Sequence, residues 1–439
     1  MKQLKTQSIE NNNLLSILQW LIFLLANAVA LPVIVGDLFH LSEAEISTLM
    51  QRTFFVVGLA SFLQGWLGHR LPIADGPAGS WVGVFTILAY AAIEQNQNLH
   101  ETLQVLELGM IITGVILILL GATGLVQRIL SIFTPIVTGT FLLLLCFQLS
   151  GVFLKGMLQV KEAGAQLDLF TTCIAFIVFF TVIILSVAGK GWMKGYAVLI
   201  GIGLGWTLFF ITGHIEKTTV SSHIVSLPEI FSWGVPKWNT GMAVSTILMV
   251  IILISNTIAA LTAVNQAIYN ETKMASGQLN RGTFAGGIAH ILSSVFSTVG
   301  VVPLPVSAGF IRLTKQKRTA PFLIACLTLV MISLFPIITH YLALLPGSVA
   351  SAALLASFVQ LIGISFQNIA RVPFHERSLT ILGIGVLLGS GVMFLSSGVF
   401  QNLPSIIQYV FGNGLFVGTV AVIILEQAWR PNPENGLRS

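Results

Sequence analysis

Between Leu14 and Gln427 the chain is a succession of apolar runs about twenty residues long, separated by short polar stretches. Runs of this length cross a bilayer as helices, because the hydrocarbon core holds no water to satisfy open backbone groups. Roughly fourteen such segments can be counted, from Leu14–Val35 at one end to Pro404–Gln427 at the other. Only 8% of residues are charged, against about 25% in an ordinary soluble domain, so a soluble enzyme is excluded. The net charge of +5 resides in short loops and gives no nucleic-acid surface. Cys146, Cys173 and Cys326 lie inside apolar runs without metal-type spacing and read as small buried hydrophobes. Neither a cofactor nor a metal site is expected. Ala28-Val29-Ala30 mimics a signal-peptidase site, but the apolar run continues through Pro32 to Val35, so the first segment is read as an uncleaved span.

Two segments break the helical pattern. Pro72–Gly83 carries Asp75, Gly76, Pro77 and Gly79 ahead of Ser80-Trp81. Pro77 lacks an N–H, the glycines weaken helix, and Asp75 is ionisable in an apolar setting. Val301–Thr314 is broken in the same way by Pro303, Pro305 and Gly309. Irregular backbone at membrane depth is tolerated only where protein buries it or it lines a watery cavity. Each segment therefore predicts a short extended stretch leading into a half-helix. The broken segment is the third of seven in each half, and an odd number of spans makes the second half enter from the opposite face. The chain is thus expected to be an all-α, 7+7 inverted repeat, an arrangement whose broken segments mark a transporter's substrate site. The alternative is a pair of re-entrant loops with only a packing role.

Charge supports the same topology. With the N-terminus inside, 16 of the 21 Lys and Arg residues fall on the cytoplasmic side. The outer segments hold Arg52, Lys155, Lys161, Lys217 and Lys237. The positive-inside rule then places both termini in the cytoplasm and the Gly213–Asn239 linker outside, with Trp233 and Trp238 suited to the interface.

Half-helices that begin at mid-membrane aim unpaired N–H groups and positive dipole ends into the cavity. They favour an anion or a flat, acceptor-rich heterocycle. Trp81 can stack on a planar ligand or serve packing. Ser307 can cap the second half-helix or donate to a ligand, and Gly309 allows close approach. Ser255-Asn256-Thr257 places three polar residues in an apolar run, open either to a substrate amide or to neighbouring helices. Gln19 carries the same two readings, and His290 in the ninth span is open to a proton-relay or a packing role. Asp75 is the only acidic residue expected near the broken segments and is the candidate coupling group. Capping a half-helix or pairing with Arg70 are its structural alternatives.

At these residues the chain resembles the nucleobase–ascorbate transporter family, the uracil/xanthine permeases. Leu18-Gln19-Trp20 with Ala26–Gly36 is similar to the family's opening helix, with Trp20 in place of its usual His. Gly79-Ser80-Trp81 and Val306-Ser307-Ala308-Gly309…Thr314 match its third- and tenth-segment motifs. The resemblance runs from about Leu14 to Trp429. It implies a fourteen-span fold with a core domain (14–125 and 242–341) and a gate domain (129–212 and 348–427). It also implies a nucleobase as substrate, proton or sodium as coupling ion, residence in the plasma membrane and frequent homodimers. The family's binding-site acids are absent, with Ser255 at the eighth-span Glu position and Val306-Ser307 in the tenth-segment signature. Trp81, Ser255, Asn256, Ser307 and Gly309 are therefore the expected substrate residues and Asp75 the coupling residue. A small-anion carrier and a transport-inactive sensor are the alternatives.

Overall fold

The computed structural model describes residues 2–94, 97–130, 132, 134–160, 167–190, 192–213, 224–271, 274–275, 277–395, 399 and 411–429. The first half contains α1 (Lys2–Ala28), α2 (Ala30–Leu38), α3 (Glu43–Trp66), β1 (Asp75–Pro77), α4 (Gly79–Glu94), α5 (Leu99–Thr123), α6 (Val126–Leu130), α7 (Pro135–Met157), α8 (Leu169–Ala188), α9 (Trp192–Gly195) and α10 (Ala197–Ile211). The second contains α11 (Thr240–Tyr269), α12 (Gln278–Val295), β2 (Val301–Pro303), α13 (Val306–Thr314), α14 (Thr319–Ser333), α15 (Pro336–Ala343), α16 (Gly347–Ile369), α17 (Glu376–Met393) and α18 (Gly414–Ala428).

Local chemistry sets many of these boundaries. Ser42 and Glu45 form a capping box that starts α3 at Glu43, four residues ahead of its apolar run. Arg52, counted with the outer residues in the charge balance, lies in the third turn of this helix and is buried. Asn98, Thr134, Asp168, Asn239 and Asn413 cap α5, α7, α8, α11 and α18 through their side-chain oxygens. Pro32 has no N–H for the carbonyl one turn back, and the first span is interrupted at Val29 between α1 and α2. The expected single span Ala320–Tyr341 is instead two helices, α14 and α15, meeting at 88°. Pro336 opens the second of them, a position that suits proline.

Eight helices among the described residues are long and apolar enough to cross a membrane, nine if the bent α14–α15 pair counts as one span. Residues 404–410 of the expected last span and 214–223 of the linker lie outside the described residues. The three cysteines do not share one environment. Cys146 and Cys326 are buried, but Cys173 is exposed on α8.

The helices pack in two sets. In one, α3 lies against α14, α12 and α15, α5 against α12 and α11, and α1 against α14. In the other, α7 lies against α16, α17 and α18, and α8 against α16 and α10. The sets meet where α2 touches α16, α4 touches α7, and α13 touches α9.

The crossing of α17 and α18 shows how apolar helices hold together without a hydrophobic driving force between them. Gly385 and Gly389 face Gly418 and Gly414, four residues apart on each helix. A Cβ on Gly414 would lie 2.2 Å from the Gly389 carbonyl oxygen, and one on Gly418 2.6 Å from that of Gly385. Small residues permit this backbone approach. Gly414→Val is expected to destabilise the protein by about 1–3 kcal/mol through overpacking, read as a lowered unfolding temperature in detergent. Gly363→Val, with open space at its Cβ position, is the control and is expected to match the wild type.

Candidate substrate and coupling site

Prolines and glycines deny both broken segments a helical hydrogen-bond ladder, and the two satisfy each other instead. Strands β1 and β2 pair antiparallel, with Asp75 opposite Pro303, Gly76 opposite Val302 and Pro77 opposite Val301. Two further backbone bonds extend the ladder, from Ala78 N–H to the Gly300 carbonyl (2.8 Å) and from Leu304 N–H to the Ala74 carbonyl (2.9 Å). All six strand residues are buried. Helices α4 and α13 start at opposite ends of this crossing and run apart, so their N-termini flank it.

Three of the expected residues gather here. Ser307 Oγ accepts the Ala74 N–H at 3.1 Å, tying α13 to the opposite broken segment. Asn256 Nδ2 donates to the Pro303 carbonyl at 3.0 Å, tying α11 to β2. Asp75 is buried in β1; its N–H donates to Ser61 Oγ at 2.9 Å, while neither carboxylate oxygen has a hydrogen-bond partner. The carboxylate thus neither caps α4 nor pairs with Arg70. Ser255, one residue before Asn256, is buried with an unpartnered hydroxyl.

The other candidates are placed differently. Trp81 is fully buried beside His290, ring centroids 6.2 Å apart. Its indole lies over Gly300, where a Cβ would come within 2.6 Å of the ring. His290 Nδ1 bonds the Gly286 carbonyl at 2.8 Å. Gln19 accepts a hydrogen bond from Gln316 at 3.0 Å, joining α1 to the segment after α13. Gly309 faces open space, with nothing near its Cβ position. On α4, by contrast, Gly79 and Gly83 are covered by Leu149 and Gln148 of α7. The second half-helix is thus open on the face where the first is shut. A cleft of about 190 Å³, lined by Asp37, His40, Lys155, Gln159 and Ser348, lies where α2 and α4 meet α7 and α16.

Asp75 is not the only carboxylate near the broken segments. Glu107, in the third turn of α5, is 0% exposed and accepts a 2.5 Å hydrogen bond from Ser297 Oγ, four residues before β2. Its signal was a single charge inside the apolar run Leu103–Leu120. The linker residue Trp233 is buried over this pocket, where its backbone N–H donates to Ser297 Oγ and its ring lies over Arg52.

Paired half-helix ends at a buried strand crossing, between two helix sets that meet along a seam, define a membrane transporter built as a 7+7 inverted repeat. Solved structures share this architecture. The transmembrane domain of a cyanobacterium bicarbonate transporter, BicA, superposes with a TM-score of 0.63 at 13% identity, covering 93% of this chain and 97% of that one. The structure of SLC26A9 gives 0.64 at 13% identity, covering 94% and 65%. The family model described as a permease family, the xanthine/uracil permeases, matches residues 12–398, and the chain belongs to that family. It is 32% identical over 431 residues to the putative purine permease YwdJ of Bacillus subtilis strain 168, covering 97% of this chain and 98% of the relative. It is 23% identical to the xanthine permease of the same organism, covering 93% and 91%. The chain is a permease, not an enzyme.

Proposed function

We propose that this permease imports a purine or pyrimidine nucleobase across the cytoplasmic membrane by alternating access, coupled to protons. The observation that carries the reading is the end-to-end similarity to a purine permease, on a site whose polar groups suit a neutral heterocycle. Residues 14–125 and 242–341 act as the core that holds the base, and 129–212 and 348–427 as the gate it moves against, with both termini cytoplasmic. Two copies associate as a dimer in this reading. Ser255, Asn256, Ser307 and the backbone at Gly309 contact the base, Trp81 walls the site, and Asp75 holds the coupling proton.

Helix α7 covers Gly79 and Gly83, whereas the face at Gly309 is open. The structural neighbours at 13% identity speak to fold alone. An unpaired carboxylate at the crossing argues against a simple anion as cargo, because like charge opposes occupancy.

Labelled xanthine uptake in cells expressing the chain, competed with unlabelled uracil, xanthine and sulfate, tests the reading. Competition by xanthine or uracil and none by sulfate is expected. Competition by sulfate as well as xanthine would show a site that takes anions, and no uptake above empty-vector cells would remove xanthine as a substrate.

A further inference from the structure

Arg52 of α3 and Glu107 of α5 share one buried pocket beneath the linker, 1% and 0% exposed. A charge in such a place is expensive unless paired, yet the two do not close a salt bridge. Arg52 Nε donates to the Thr48 carbonyl at 3.1 Å, its guanidinium lies 5.9 Å from the Trp233 ring centroid, and its Nη1 has no partner. Glu107 Oε1 takes the Ser297 hydroxyl, and its Oε2 has no partner. One free donor and one free acceptor of complementary charge are therefore held apart in the same electrostatic environment.

Ser297 links this pocket to the transport site. Its hydroxyl donates to Glu107 and accepts the Trp233 backbone N–H at 3.3 Å. Its backbone sits in the left-handed region at φ 44°, a conformation that surrounding bonds must hold. The next residue, Thr298, bonds Thr53 of α3 at 2.7 Å, and β2 begins three residues further on. The other charged groups facing Arg52 are Glu45 at the start of α3 and Glu229 of the linker. Helix α12 and its end contribute Ser294 and Ser297, with His290 about two turns further in. Phe85 of α4 packs on Trp233, and Met242 of α11 packs on Gly109, two residues and about half a turn beyond Glu107.

We propose that Arg52 and Glu107 form a two-position proton switch beneath the outer linker, with Glu107 a second proton-carrying residue of the transport cycle. Protonated Glu107 leaves Arg52 seated on Trp233, the arrangement seen here. When the proton leaves Oε2 for the outer aqueous side, the carboxylate draws the guanidinium across to Oε2. Trp233 then loses its cation, and the linker loosens over Ser297 and the approach to β2. The inference rests on the proton-coupled reading above and adds to it the residue that exchanges protons with the outside.

The test uses the full chain in proteoliposomes, with labelled xanthine as the probe and external pH varied between about 5 and 8. Wild-type uptake is expected to fall as pH rises. Glu107→Gln keeps the Ser297 bond and mimics the protonated form, so its uptake is expected to lose that pH dependence. Trp233→Leu removes the alternative seat of Arg52 and strengthens the ion pair, which favours ionised Glu107. Its profile should move toward acid by about one pH unit. A wild-type profile in both variants overturns the proposal. A second readout needs no substrate. Hydrogen exchange of the 226–237 amides, corrected for intrinsic rates, is expected to depend on pH in the wild type and not in Glu107→Gln; equal dependence in both also overturns it. If the wild type carries no base, the nucleobase reading fails, and hydrogen exchange still decides the switch.

Discussion

Asp75→Asn is expected to abolish accumulation of base against its gradient while leaving base-for-base exchange intact. A coupling group must be charged in one part of the cycle and neutral in another, and Asn mimics only the neutral form. With one proton carried per base, a gradient of about one pH unit, about 1.4 kcal/mol, supports about tenfold accumulation. In the variant that ratio should fall to about one, because no proton moves with the base. The carboxylate makes no hydrogen bond that Asn would have to replace, so folding should survive. Its backbone bond to Ser61 is also retained. Energised vesicles loaded with labelled base separate the two activities. Wild-type accumulation by Asp75→Asn, at wild-type pH dependence, would reject Asp75 as the coupling residue and turn attention to Glu107 or to a sodium-coupled cycle.

Gly300→Val should abolish transport and lower the yield of folded protein. The Cβ position at Gly300 is 2.6 Å from two atoms of the Trp81 indole and 3.1 Å from the His290 ring. The indole has no room to retreat, since it is fully buried and packs edge-on against Phe85 at 6.5 Å. The Gly300 carbonyl also accepts the Ala78 N–H that aligns the two broken segments. Overpacking of this kind costs about 1–3 kcal/mol or more, placed where the half-helices are registered. Gly300→Ala paired with Trp81→Phe should recover folding that Gly300→Ala loses, as the smaller ring opens the required space. Size-exclusion profiles in detergent report folding, and uptake reports function. Failure of the pair to recover any folded protein would show that the backbone at Gly300, not the indole above it, sets the limit.

The large features were legible because they are local. Apolar runs of bilayer length announce spans, and Pro and Gly announce breaks, since each acts through its own backbone. The breaks at Pro72–Gly83 and Val301–Thr314 accordingly became a strand and a half-helix in each half. Other local signals were present but unread. Pro336 marks the division of α14 from α15. The paired Gly-x-x-x-Gly patterns at Gly385–Gly389 and Gly414–Gly418 mark a close helix crossing. Glu107 is a single charge in an apolar run, and Ser42 with Glu45 starts α3 a turn ahead of its apolar run, setting Arg52 in the third turn.

What the sequence determined by itself was the class of fold, the order of its segments and the two places where helix must give way to extended chain. Each follows from the covalent character of residues close together in the chain and from the demand that lipid makes on the backbone. Only the tertiary structure decided the register of Asp75 against Pro303, the burial of Trp81 over Gly300 and the meeting of Arg52, Glu107, Trp233 and Ser297. Those four residues come from four separate parts of the chain, and no local preference of any one names the others. Their partnership arises from packing, where a charge or hydroxyl excluded from water takes whichever group the fold brings beside it.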